Sequence, residues 1–197
     1  MSDLGDENII IEGDLTVEQA NIIDDLTEGT VSGTISSTES SLDLTGLTGN
    51  NAYQIIISDE ITKSEELITI NSKTTVPIDL TNVVAFSSSI NDLETFANAV
   101  IDGDFINADE AVSIGLTDNI LSATALNFAI ETANTLNGEV DAITTFSLID
   151  GATINTGDVT EFRTLLTNVE NDPVTITNQN LIVDSGPSVS YTHLRAH

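Results

Sequence analysis

Cysteine is absent from the 197-residue chain, which excludes disulfides, thiolate zinc sites, iron–sulfur clusters and cysteine nucleophiles. Tryptophan is also missing and aromatic residues amount to 4 %, too few for the stacked platforms of a sugar-cleaving cleft. Basic residues are scarce: 4 Lys+Arg stand against 32 Asp+Glu, for a formal net charge of −28. A surface of that sign repels nucleic-acid phosphates and anionic lipid, so no nucleic-acid partner is expected. No apolar run approaches the roughly 18 residues of a bilayer span, the longest being clusters such as Ile55-Ile56-Ile57, and no membrane insertion is expected. What the chain does have is 40 % hydrophobic residues with only 18 % charged, which points to a packed core rather than a disordered acidic tail.

The last nine residues, Val189-Ser-Tyr-Thr-His-Leu-Arg-Ala-His197, resemble the translation of a transposon sequencing adapter. Residues 188–197 are therefore set apart from residues 1–187, and the natural chain is expected to continue past Ser188. Both histidines, His193 and His197, lie in that tail. Without them no Ser-His-Asp or Cys-His arrangement and no H-E-x-x-H zinc site can be assembled. No G-x-x-x-x-G-K-[ST] loop exists for phosphoryl transfer. Only a carboxylate pair of the glycosidase kind remains, and with 32 acids close pairs are inevitable and carry no information. The reading is non-enzymatic.

Short alternating apolar runs recur at Ile9–Ile11, at Val31, Gly33 and Ile35, at Tyr53, Ile55 and Ile57, and at Val76, Ile78 and Leu80. Others follow at Val112, Ile114 and Leu116, at Phe146 and Leu148, and at Val174 and Ile176. Each has the β-branched content of a short strand. Ile9, Val31, Tyr53 and Val76 are separated by 22, 22 and 23 residues. Helical spacing lies between strands: Ile90, Leu93, Ala97, Val100; Leu121, Ala125, Phe128; and Val159, Phe162, Leu166, Val169. Thr16-x-x-Gln19 and Thr62-x-x-Glu65 have the capping-box form, and Gly29, Gly49 and Gly138 are expected to close their segments.

Strands alternating with short helices favour parallel pairing. The expected fold is α/β, an array over 1–187 of strand–short helix repeats forming an α/β solenoid. Its units fall near 8–29, 30–50, 51–74, 75–109, 110–140 and 141–172, with an incomplete one at 173–187. A compact α/β domain and an all-β sandwich or roll are the alternatives.

Leu15-Thr-Val-Glu-Gln-Ala-Asn-Ile-Ile-Asp-Asp-Leu-Thr-Glu-Gly-Thr-Val-Ser-Gly-Thr-Ile-Ser36 and the stretch from Ile57 to Asp79 resemble the degenerate repeats of giant acidic secreted or cell-surface adhesin-like proteins of marine bacteria and cyanobacteria. The resemblance implies an extracellular or cell-surface structural spacer whose partners are neighbouring repeats of the same chain. A calcium- or carbohydrate-binding module, with surface glycans or divalent cations as partners, is the alternative.

One local feature suggests a ligand. Asp102-Gly-Asp-Phe-Ile-Asn-Ala-Asp-Glu110 gathers Asp102, Asp104, Asn107 and Asp109 within eight residues, the hard oxygen donors that Ca²⁺ takes in a tight loop. Asp102, Asp104 and Asp109 are the candidate metal ligands, Ca²⁺ the candidate cofactor, and a solvated acidic turn the alternative. The register is one residue off that of an EF-hand.

Overall fold

In the computed structural model, residues 4–108, 113–140, 145–148, 151–155, 174–175 and 180–182 are described. The first apolar run forms β1 (Ile9–Leu15), and Thr16 then starts α1 (Val17–Asp24) with the expected capping box. The Thr16 hydroxyl accepts from the Gln19 amide at 3.2 Å, and the Gln19 side chain accepts from the Thr16 amide at 2.9 Å. This reciprocal pair satisfies two donors that a helix start leaves free. β2 (Val31–Ile35), α2 (Ser41–Leu44) and β3 (Ala52–Gln54) follow. α2 has a second capping box, between Ser40 and Asp43. Next come β4 (Ile61–Lys63), α3 (Ser64–Asn71), β5 (Ile78–Asp79), β6 (Ala85–Ser88) and α4 (Ile90–Ile101). The remaining elements are β7 (Phe105–Ile106), β8 (Ser113–Leu116), β9 (Ile120–Ser122), α5 (Ala123–Val140), β10 (Thr145–Leu148), β11 (Thr153–Asn155), β12 (Val174–Thr175) and β13 (Asn180–Ile182).

Every strand pair is parallel, as crossovers of this length require. The strands divide among sheets ordered β1-β2-β3, β12-β10-β8-β6-β4, β13-β11-β9 and β5-β7. Gly13, at φ 104°, lies in the irregularity that shifts the β1–β2 register between Ile10 and Asp14, a backbone angle that side chains resist. On the helical side α2 packs on α3, α3 on α4 and α4 on α5. One hydrophobic core runs from Leu15 through Leu44, Tyr53, Leu67, Ile78, Phe96, Ile114 and Leu126 to Ile154. At its middle Phe96 lies between Phe86 and Phe105, with ring centroids 4.8 and 5.1 Å away and tilted planes, the geometry that aromatic quadrupoles prefer.

The solenoid expectation is corrected by this arrangement. A uniform stack needs one kind of unit repeated, with each strand beside its equivalent in the next. Here the run at 76–80 contributes β5, which pairs with Phe105–Ile106, whereas β8 pairs with Ala85–Ser88 and Thr145–Leu148. Helix length varies from 4 residues in α2 to 12 in α4 and 18 in α5. The described residues form a compact α/β domain, joined by a contiguous core and pairings between distant segments, rather than a degenerate repeat array.

The resemblance to giant adhesin repeats fails on the same ground, and so does the spacer function. The apolar faces that were to meet neighbouring repeats, as partners of the array, are packed inside the domain's own core.

Smaller corrections have local causes. Thr62 does not cap a helix: it lies in β4, and α3 starts after Lys63 without a side-chain cap. Leu121 belongs to β9, and α5 begins at Ala123 and runs through Gly138. Helix starts also draw acceptors from later segments. The Ser41 amide donates to Asp59 at 2.5 Å and the Ile90 amide to Asp118 at 3.0 Å, and at α4 the carboxylate also suits the positive end of the helix dipole. Among the described residues no helix is long and apolar enough to cross a membrane.

Candidate functional site

A concavity lies where α1 meets α2. Its position is set by Asn21, whose side-chain amide donates to the Gly46 carbonyl at 2.9 Å while its oxygen accepts from the Thr48 amide at 2.9 Å. One turn on, Asp24 accepts from the Thr48 hydroxyl at 2.9 Å and from the Asn51 side chain at 2.8 Å. Asn51 in turn accepts from the buried Val31 amide at 2.8 Å. This polar seam ties α1 to the loop following α2.

The open groove beside it, about 630 Å³, is lined by Thr16, Val17, Asn21 and Ile22 with Glu18, Asp25, Glu39 and Asp43 around them. Ile22 is 55 % exposed. Asp43 is partly engaged, accepting from the Ser40 hydroxyl at 2.6 Å. Among the described residues no lysine or arginine lines the groove. Four carboxylates around an apolar strip can hold an elongated cation, its charged ends on the acids and its methylenes on Val17 and Ile22.

A smaller cavity of about 120 Å³ is lined by Lys63, Ser64, Glu65, Ser87, Ser88, Ser89, Asp92 and Thr117. Its hydroxyls are joined to one another and to nearby acceptors. Ser64 donates to the Ser88 hydroxyl at 2.5 Å, Ser88 to the Ser89 carbonyl at 2.8 Å and Ser89 to Asp92 at 2.5 Å. Lys63 pairs with Glu66 at 2.9 Å. The hydrogen bond that Lys63 donates to Glu66, together with the charge of that carboxylate, raises the Lys63 pKa.

Two of the three candidate ligands of the acidic loop, Asp102 and Asp104, lie among the described residues. Asp102 ends α4, its amide donating to the Asn98 and Val100 carbonyls. Gly103 follows at φ 84°. Asp104 turns to Asn71, whose side-chain amide donates to it at 2.8 Å. Asp109 lies outside the described residues. Among the described residues no three acids or histidines are grouped to hold a metal ion.

An electrostatic feature that sequence reasoning missed is Asp79, at the end of β5. Burial pulls its pKa upward, but the Thr81 hydroxyl and amide, with help from Asn107, outweigh that and leave it lowered. The Thr81 contacts are 2.6 and 2.9 Å. The signal available was Asp79-Leu-Thr81, an acid two residues before a hydroxyl, which is a local turn pattern.

Tyr53 lies in the core. The residue is fully buried and the hydroxyl oxygen has no hydrogen-bond partner of good geometry. Burial, with the Asp24 carboxylate nearby, pushes its pKa up to about 12, and the Asn51 side chain opposes the shift. The helical run at Val159–Val169 and Arg163 fall outside the described residues. No family model, curated protein or solved structure matches the chain.

Proposed function

We propose that the chain is a non-catalytic recognition domain that works outside the cell and holds an elongated organic polycation in the α1–α2 groove. The single observation supporting this reading is the groove itself, in which Glu18, Asp25, Glu39 and Asp43 surround Val17 and Ile22 with no cation among the described lining residues. Extracellular placement is supported by the charge balance of −28, because an exterior so acidic repels itself least where salt screens it. Exposed carboxylate–ammonium pairs contribute at most about 1 kcal/mol each. Four of them with a few apolar contacts therefore give a dissociation constant on the order of a millimolar at low salt.

Calorimetric titration with spermine tests the reading. Glu18→Gln combined with Asp25→Asn removes two groove charges, and Glu94→Gln combined with Glu131→Gln removes two exposed charges on α4 and α5. The groove pair is expected to weaken binding severalfold while the control pair leaves it unchanged. Equal weakening by both pairs would reduce the effect to net charge and overturn the reading.

A further inference from the structure

We infer that the outer edge of β1 accepts an extended, basic peptide as an added strand. The inference rests on the recognition reading only in its cationic partner, and it uses a different site. Among the described residues β1 ends its sheet, in the order β1-β2-β3, and pairs with β2 alone. The Ile9 amide donates to the Thr30 carbonyl at 3.0 Å, so Ile9 faces β2. Parallel ladders alternate, and the Ile10 amide and carbonyl therefore point to the opposite, open side. The Ile10 side chain is 80 % exposed, an apolar surface beside an unpaired edge, where proteins usually place charge or a covering segment. Strand addition to such an edge is a recurrent mode of peptide recognition, with backbone hydrogen bonds giving affinity and alternate side chains giving choice.

Charge identifies the occupant. Asp6, Glu7, Glu12 and Asp14 are all exposed along this segment, and the first lysine or arginine in the chain is Lys63. A second copy pairing edge to edge would set two such acidic rows against each other, a costly approach except in high salt. A strand alternating lysine with valine would instead place ammonium groups near these acids and an apolar side chain beside Ile10.

The test uses the full chain and a fluorescent short peptide of alternating lysine and valine. Comparison peptides carry either glutamate for lysine or N-methyl groups on the amides of one edge. Fluorescence anisotropy is expected to show binding of the parent peptide and a loss of about tenfold or more on N-methylation. The acidic peptide should not bind. Ile10→Pro, which removes the outward donor while sparing the Ile9 bond to Thr30, is expected to cause a similar loss. Should that variant fail to fold, the N-methylated peptide on the unaltered protein decides.

Spermine, which has the charges but no peptide amides, should not protect the Ile10 amide from hydrogen exchange, whereas the peptide should. Retained binding of the parent peptide by the Glu18→Gln, Asp25→Asn chain separates the edge from the groove. Equal binding of the N-methylated peptide, no binding of the parent, or self-association through Ile10 seen in sedimentation would each overturn the inference.

Discussion

Replacing Tyr53 by phenylalanine isolates one buried oxygen. The ring stays in the core, fully covered, and only a hydroxyl without a well-placed partner is removed. Loss of such a group relieves its desolvation cost, so Tyr53→Phe is expected to stabilise the protein by about 1 kcal/mol at neutral pH. The pH dependence is more diagnostic. The phenol moves from its ordinary value of 10.0 to about 12 in the folded state, so the folded protein keeps this proton where the unfolded chain releases it. Because the folded value is raised, the contribution is fully present below pH 10 and is lost as pH rises towards 12. The whole gap corresponds to about 3 kcal/mol, of which about half is gone at about pH 11.

Urea unfolding of both proteins between about pH 9 and pH 11 measures the difference, and the ionisation of lysines common to both cancels. The parent should lose about 1 kcal/mol more than Tyr53→Phe over that interval. Parallel curves would refute the reasoning, as would destabilisation by the substitution at neutral pH.

Phe96→Ala removes the ring between Phe86 and Phe105 at the middle of the core and should cost about 3–5 kcal/mol in urea unfolding. Thr16→Ala breaks a formed capping box and should cost about 0.5–2 kcal/mol. Thr62→Val removes a buried hydroxyl with no partner and should stabilise by about 1 kcal/mol in the same assay. A thermal melt in millimolar calcium against sodium chloride of equal ionic strength tests the acidic loop. A rise specific to calcium and lost in Asp104→Ala would establish a metal role, whereas equal rises indicate charge screening alone.

Local order was legible in the sequence where a short-range signal settled it. The Thr16-x-x-Gln19 box, the strands at 31–35 and 113–116 and the helix beginning at Ile90 each follow from spacing within a few residues. Thr62-x-x-Glu65 has the same capping form, yet the segment joins β6 as a parallel strand, with Thr62 opposite Phe86. Cross-strand pairing outweighed the local preference there.

The sheet arrangement was not legible because it depends on which distant strand each run meets. Nothing in Val76-Pro-Ile-Asp79 specifies Phe105 as the neighbour of Ile78. The groove was hidden for a similar reason. Glu18 on α1 and Asp25 at its C-cap are ordinary exposed acids until Asn21 and Asp24 bind the loop after α2 and bring Glu39 and Asp43 beside them.

Residue-resolved chemical-shift mapping with spermine at constant ionic strength tests the central claim most directly. Binding in the groove predicts shifts concentrated at Thr16–Asp25 and Glu39–Asp43, saturating at millimolar spermine and absent in a matching sodium chloride titration. Small shifts spread over acidic residues of every helix, reproduced by sodium chloride, would contradict it.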